Sequence, residues 1–326
     1  MDGDGDRDVV SAASGQLAWH ANLGGGAFGP RTVIASNEGQ LVRVASGDLD
    51  GDGAVDLVVA SNSGNRLAWF RNLGAGSFSS RIVLTGNAEE ASSVGVADVD
   101  GDGDLDVFGT AEDSDRVLLL RNLGSGVFTS AIVLDNDAGG PMDIQSGDLD
   151  GDGDLDLVVA SSDHDRVQWY ENNGGGVFGP AQIVGNNVSD AESVALADLD
   201  GDGDLDVAAA SSSLNGGVVW LANLGGGAFS APNVVVTFAT GADFVDAGDL
   251  DGDGAIDLLV SSRGNGTHAW YANQGAGTNW VEETLSSTAP GASSLVATDL
   301  DGDGDLDVLA TTRNLSRVCW FERLGG

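Results

Sequence analysis

The 326-residue chain contains no lysine; its 13 basic residues are all arginine and stand against 51 Asp and Glu, for a formal net charge of -38. A field of that sign repels nucleic acid and anionic membrane surfaces, so neither is expected as a partner. The single cysteine, Cys319, excludes an intrachain disulfide. No apolar run is long enough to cross a bilayer as a helix, so membrane insertion is not expected. The absence of lysine also removes one of the good helix formers.

What the chain has in excess is glycine, at 51 of 326 residues, well above the roughly 7% of ordinary proteins. Hydrophobic residues still make up 41%, so this is not a disordered acidic tail. The acidic residues are also unevenly placed. Asp48-Leu49-Asp50-Gly51-Asp52-Gly53-Ala54-Val55-Asp56 is followed by the apolar run Leu57-Val58-Val59-Ala60, and the pattern recurs seven times. The third-position aspartates are Asp2, Asp50, Asp100, Asp150, Asp200, Asp251 and Asp301, spaced 48, 50, 50, 50, 51 and 50 residues apart. Four motif aspartates in each of six full copies and three in the truncated first account for 27 of the 51 acidic residues. A solvated acidic surface does not require that concentration.

One period reads as four short strands. Leu41–Ala45 enters the motif as strand A and Val55–Ala60 leaves it as strand B. Ser61-Asn62-Ser63-Gly64-Asn65 has turn chemistry. Leu67–Arg71 is strand C, Asn72–Ser77 a glycine turn, and Phe78 with Arg81–Leu84 strand D. Tryptophan holds one register of strand C in Trp19, Trp69, Trp169, Trp220, Trp270 and Trp320, replaced by Leu119 in the third copy. These rings alternate with other apolar residues and are expected to wedge between neighbouring units. Units of about 50 residues with four strands and one wedged aromatic describe the blades of a β-propeller. The expected fold is therefore all-β, a propeller of about seven four-stranded blades, in which blade 1 lacks its first strand and blade 7 its last. The chain reads as a single domain over residues 1–326, with repeats starting near 1, 48, 98, 148, 198, 249 and 299. Because it opens inside a motif and stops half a period after the last, it is read as a fragment of a longer chain.

The motif places carboxylates at positions 1, 3, 5 and 9 of a tight loop, with glycine at position 6 for the reversal and the position-7 carbonyl available to complete a shell. Hard oxygen donors at that spacing suit Ca²⁺ better than zinc or copper, and Mg²⁺ avoids cages made wholly of protein. The expected ligands are Asp2, Asp4 and Asp8; Asp48, Asp50, Asp52 and Asp56; Asp98, Asp100, Asp102 and Asp106; Asp148, Asp150, Asp152 and Asp156; Asp198, Asp200, Asp202 and Asp206; Asp249, Asp251, Asp253 and Asp257; and Asp299, Asp301, Asp303 and Asp307. That makes about seven Ca²⁺ sites, the first lacking its position-1 aspartate. An EF-hand is excluded because position 12 carries no carboxylate and a strand follows instead of a helix. The three histidines, His20, His164 and His268, fall at different repeat positions and define no shared site.

These loops, together with Asn172-Asn173-Gly174-Gly175-Gly176-Val177-Phe178-Gly179-Pro180, resemble the FG-GAP/VCBS repeat family, which includes the propeller of integrin α subunits and many secreted bacterial proteins. The resemblance covers essentially the whole chain. It implies calcium at the motif aspartates and an extracellular or cell-surface location, but names no ligand. It departs from the integrin pattern in carrying the motif in every blade. In an up-and-down blade the A–B and C–D turns lie at one end, and the B–C and D–A connections at the other. Variable loops on a rigid scaffold usually carry binding, so ligand contact is expected at the second end, at Asp113, Asp163, His164, Asn215 and Arg263. The expected function is a calcium-binding protein- or glycan-interaction module, acting in adhesion. The alternatives are a structural spacer in a large surface protein and a propeller polysaccharide lyase. Near-identical repeats, with their acids committed to metal, do not supply the irregular constellation that catalysis requires, so the chain is not expected to be an enzyme.

Overall fold

The computed structural model describes residues 1–213, 216–237 and 239–323. Among them there is no helix, and 26 strands form seven antiparallel sheets. Sheet 1 holds β1 (Val9–Ala13), β2 (Gln16–His20) and β3 (Thr32–Ser36). Sheet 2 holds β4 (Leu41–Gly47), β5 (Asp56–Ser61), β6 (Arg66–Phe70) and β7 (Ile82–Thr85). Sheet 3 holds β8 (Ala91–Ala97), β9 (Asp106–Ala111), β10 (Arg116–Leu120) and β11 (Ile132–Asp135). Sheet 4 holds β12 (Pro141–Gly147), β13 (Asp156–Ser161), β14 (Arg166–Tyr170) and β15 (Gln182–Asn186). Sheet 5 holds β16 (Ala191–Ala197), β17 (Asp206–Ser211), β18 (Gly217–Leu221) and β19 (Asn233–Thr237). Sheet 6 holds β20 (Ala242–Gly248), β21 (Asp257–Ser262), β22 (Thr267–Asn273) and β23 (Trp280–Ser286). Sheet 7 holds β24 (Ala292–Thr298), β25 (Asp307–Thr312) and β26 (Arg317–Phe321). Strands follow chain order across every sheet. Each sheet is a blade, and the fold is the seven-bladed β-propeller expected, with three strands in the first and last blades.

The gradient of burial within a blade follows the sequence. Strand B, an unbroken apolar run, is buried at every residue in β5, β9, β13, β17 and β21. Strand D is the outer edge, and its residues are largely exposed. Strand A carries a register shift after its first residue, as between Leu41 and Arg43 or Ala91 and Ser93. Such a bulge increases local twist. Strand D is shorter than its sequence suggested. Phe78 lies outside β7 and makes an isolated bridge to Asn72, as do Phe28, Phe128, Phe178 and Phe229 to their own asparagines. The reason is the intervening turn. Leu73 N donates to Ser77 O at 2.7 Å, and Gly74, Ala75 and Gly76 all have positive φ. Three successive left-handed residues interrupt the ladder. Only in blade 6 does the ladder run through, pairing Asn273 with Trp280 inside β22 and β23.

The chain divides into two compact units, each described separately. One comprises Met1–Ser146, Tyr170–Ala181 and Leu300–Gly302; the other comprises the remainder. In the first, Trp69 is 5% exposed and packs with Val94, Val107, Leu118 and Leu120 of the next blade. Its ring meets Phe128 edge-on, centroids 6.0 Å apart at 73°. In the second, Trp169 meets Phe229 at 6.3 Å and 71°. The tryptophan register is therefore inter-blade core, as expected. A glycine from the next C–D turn closes over the rings of Trp19, Trp69, Trp169 and Trp220. A Cβ on Gly76 would sit 2.2 Å from Trp19 Cζ2, and one on Gly277 would sit 2.4 Å from Trp220 Cζ2.

A second tie joins successive blades through asparagine. In the first unit, the Asn122 amide donates to Leu105 O in its own blade at 3.1 Å and to Leu49 O in the preceding one at 2.7 Å. Asn72, Asn172 and Asn22 reach Met1 O, Val99 O and Leu300 O in the same way. In the second unit, Asn223 and Asn273 reach Leu149 O and Leu199 O. Asn122→Ala would leave two carbonyls without their amide donor. We expect a loss of about 2–3 kcal/mol in urea unfolding. Leu123→Ser, at an exposed turn tip (65% exposed), should change stability by no more than about 0.5 kcal/mol. Equal stability of Asn122→Ala and the parent chain would rule out these bonds as inter-blade fasteners.

Candidate metal centre

The acidic loop lies between strands A and B, and a C–D turn lies beside it. In blade 2 the position-9 residue, Asp56, is fully buried at the start of β5. Its Oδ2 accepts from Leu49 N at 3.2 Å and its Oδ1 from Asn72 N at 2.6 Å. It therefore fastens the loop to itself and to the C–D turn. Asp106, Asp206 and Asp257 make the same pair of bonds. Burial pushes the Asp56, Asp106 and Asp206 carboxyls up to about 6, against the pull of their backbone N–H partners.

Position 1 shapes the loop. Asp48 Oδ1 accepts from Gly51 N and Asp52 N at 2.9 and 3.1 Å, and its Oδ2 from Gly53 N at 2.8 Å. Gly51 and Gly53 have φ of 73° and 89°, so the reversal uses glycine at both places. Position 5 turns to its own loop: Asp52 Oδ1 accepts from Ala54 N at 2.9 Å, a bond that lowers its pKa.

Position 3 differs in kind. The Asp50 side chain is only 3% exposed and its partner is the Arg71 guanidinium, whereas Asp100, Asp150, Asp200 and Asp251 each accept from the position-5 backbone N–H at 3.3, 3.2, 3.2 and 3.1 Å. Burial likewise raises the carboxyls of Asp100 and Asp200, with the neighbouring Asp102 and Asp202 adding to the effect. A buried carboxylate needs a compensating positive charge; at Asp50 the Arg71 guanidinium supplies it, and a cation suits the same place. Carboxylate oxygens of positions 1, 3 and 9 lie within 4.8 Å of one another in Asp48, Asp50 and Asp56, in Asp98, Asp100 and Asp106, in Asp148, Asp150 and Asp156, in Asp198, Asp200 and Asp206, and in Asp249, Asp251 and Asp257. Oxygens bound to one Ca²⁺ at about 2.3–2.6 Å lie no more than roughly 5 Å apart, so the donor set and its dimensions suit that ion. The position-5 aspartates stand outside these groupings. In the first copy Asp8 is tied to the Met1 amino group and to Asn22 N, while Asp2 and Asp4 accept from Asp4 N and Asp6 N.

The loops expected to bind a ligand lie at the other end of the blades. Asp113, Asp163 and His164 are exposed on B–C turns. Arg263 is also exposed and donates to Asp243 Oδ1 at 2.6 Å. Asn215 lies outside the described residues. The turns are built alike: the left-handed Asn65, Asp115 and Asp165 accept from Glu90 N, Gly140 N and Asp190 N of the following connection. Each B–C turn is thus stapled to the D–A connection beside it.

Three features were missed by sequence reasoning. Arg71 Nε presses on Asp50 Oδ2, and Arg71 Nη2 donates to Asp52 Oδ2 at 3.1 Å. Arg121 donates to Gly176 O at 2.5 Å. That acceptor corresponds to Gly277 O, which takes the indole N–H of Trp220 at 3.0 Å, so in the blade where Leu119 stands in the tryptophan register Arg121 supplies a donor to the equivalent carbonyl. Finally, Arg43 Nη2 lies 2.6 Å from Asp143 Oδ1, which also accepts from Ser93 Oγ at 2.9 Å. The available signal was positional: Arg71 and Arg121 stand where other copies have alanine or glutamate, and Arg43 stands where most have serine.

The comparisons with known proteins agree with this geometry. Among solved structures, the chain is similar to an Agrocybe aegerita lectin whose structure describes recognition of non-reducing terminal N-acetylglucosamine, with 24% identity and TM-score 0.62 over 88% of this chain and 79% of that one. It is similar to the BP39L lectin from Burkholderia pseudomallei, with 17% identity and TM-score 0.67 over 97% and 94%. It is also similar to virginiamycin B lyase from Staphylococcus aureus, with 11% identity and TM-score 0.59 over 97% and 88%. At these identities the likeness speaks for the fold alone. No curated protein matches the chain. The FG-GAP-like repeat matches six times in succession, over residues 1–59, 48–109, 98–159, 148–209, 198–260 and 249–310, and the chain accordingly belongs to the FG-GAP repeat family.

Proposed function

We propose that this chain is a calcium-stabilised binding module that works outside the cell or at its surface, recognising a glycan or protein ligand with the B–C and D–A loops. The observation that carries the calcium reading is the convergence of three carboxylates, as in Asp48, Asp50 and Asp56, repeated in at least five acidic loops. When bound, Ca²⁺ would supply positive charge to carboxylates that otherwise repel one another. Asp48 would orient the loop backbone, Asp56 would tie it to the C–D turn, and Asp50 would face the ion. Membership of a family typical of extracellular proteins supports the location.

The binding reading is supported by two lectins among the similar folds and by stapled turns that present variable side chains. We propose binding without catalysis, because the acidic residues repeat from blade to blade while catalysis needs an irregular set of acid, base and oxyanion donors. The net charge of -38 favours neutral or basic ligands over nucleic acid.

The reading makes two predictions. Chelation by EDTA should lower the melting temperature, because an ion that binds only the folded state stabilises it by mass action. The size of that shift should depend on pH. Burial holds the Asp56, Asp106 and Asp206 carboxyls up to about 6 in the folded chain, above the ordinary carboxylate range, so the cation-free fold holds more protons than the unfolded chain between about pH 4 and 6 and loses stability as pH rises through that window. Calcium needs the ionised carboxylates, so the calcium-dependent rise in melting temperature should be larger at pH 7.5 than at pH 5. A melting temperature indifferent to EDTA at pH 7.5 would sink the calcium reading. For ligand class, the whole chain on a glycan array should show calcium-supported binding that Asp163→Ala/His164→Ala weakens severalfold; an array blank with calcium would remove the glycan form of the proposal.

A further inference from the structure

The residue preceding the C–D asparagine changes character from copy to copy. It is Ala21, Arg71, Arg121, Glu171, Ala222 and Ala272 in the first six blades; the seventh has Glu322 there, followed by Arg323 in place of the asparagine. Arg71 N donates to Ser79 Oγ at 3.1 Å, which anchors the backbone of this residue. From there the side chain crosses to the acidic loop of its own blade. Arg71 Nε contacts Asp50 Oδ2, and Nη2 donates to Asp52 Oδ2 at 3.1 Å. Asp50 is the carboxylate grouped with Asp48 and Asp56. The guanidinium therefore lies on a carboxylate that the calcium reading assigns to the ion. Its own side chain is 43% exposed, so it has room to swing into solvent.

The same register serves differently elsewhere. In blade 3, Arg121 gives its Nη2 hydrogen bond to Gly176 O, and its Nη1 stays 3.9 Å from Asp100 Oδ2. In blade 5, Ala222 has no charge to offer, and the acidic loop borders a cavity of about 300 Å³ lined by Asp198, Asp200, Gly254, Ala255 and Ala276. The seven loops have one motif but not one electrostatic setting.

We infer that Arg71 is a tethered counterion that competes with Ca²⁺ for the acidic loop of blade 2, so that this loop binds the ion more weakly than the loops of blades 5 and 6 and holds its shape when the ion is absent. The inference rests on the calcium reading above. The physical reason is linkage. A positive group that favours the ion-free loop stabilises that state, and the same free energy is subtracted from ion binding. A guanidinium that remained in place beside Ca²⁺ would also repel it. Arg71 thus sets the affinity of one site without being a ligand to the ion.

The test compares the whole chain with Arg71→Ala, reading calcium stoichiometry by native mass spectrometry across a calcium titration and melting temperature with and without EDTA. Removing the tethered cation should raise the affinity of one site about tenfold, seen as one additional ion retained at calcium levels where the parent has lost it. In EDTA, Arg71→Ala should melt below the parent, and calcium should raise its melting temperature by more. The double variant Arg71→Ala/Asp50→Asn should lose the additional ion, which assigns the gain to blade 2. Arg121→Ala provides the contrast: it should lower the melting temperature with and without calcium and leave the ion count unchanged. Unchanged or weakened calcium affinity in Arg71→Ala, with the parent still binding several ions, would overturn the inference and leave the calcium reading standing. A parent and variant that both bind no calcium would overturn the two together.

Discussion

A carboxylate placed where water cannot reach it organises every full blade described here. Asp56 and its counterparts Asp106, Asp206 and Asp257 are buried at the first residue of strand B, and each accepts one backbone N–H from the acidic loop and one from the C–D turn. A buried acid is stable only if hydrogen-bonded or neutralised. Its two acceptor oxygens therefore dictate where both loops must lie. From that one constraint follow the position of Asn72, the reach of its amide to the preceding blade, and the seating of the glycine turn over the neighbouring tryptophan ring.

The same loop carries the main electrostatic burden of the chain. Three carboxylates converge in each grouping while the chain has 13 arginines and no lysine to balance 51 acids. The distribution of those few arginines is informative. Arg43 meets the buried Asp143, Arg66 and Arg81 both meet Glu38, and Arg71 meets Asp50. Arginine rather than lysine suits such places because its planar fork can satisfy several oxygens at once.

The two ends of a blade are held by different means. At the acidic end, side-chain oxygens capture backbone N–H groups and the turns are glycine-rich. At the other end, left-handed Asn65, Asp115 and Asp165 bind the adjoining connection through their own side chains. That fastening leaves Asp113, Asp163 and His164 exposed on a firm base, the arrangement expected of variable binding loops on a rigid scaffold.

Much of this was legible in the sequence, because the signals are local. Strand B shows as an unbroken apolar run, the reversals as glycines at positions that need positive φ, and the blade count as a period near 50 residues. The tryptophan register marked inter-blade core through its alternation with apolar neighbours. Tertiary structure decided what depends on partners far apart in the chain. The amide of Asn122 finds Leu49 O across 73 residues of sequence. Equal-looking aspartates separate into a loop former at position 1, a carboxylate facing the shared grouping at position 3, a residue turned to its own backbone at position 5 and a fastener at position 9. Phe78 leaves strand D because consecutive left-handed residues break its ladder. Arg71 and Arg121 share one register yet face a carboxylate in one blade and a carbonyl in the next. Periodicity and turn chemistry are written within a few residues, whereas the burial and hydrogen-bond partners of a charged group exist only once the blades have packed.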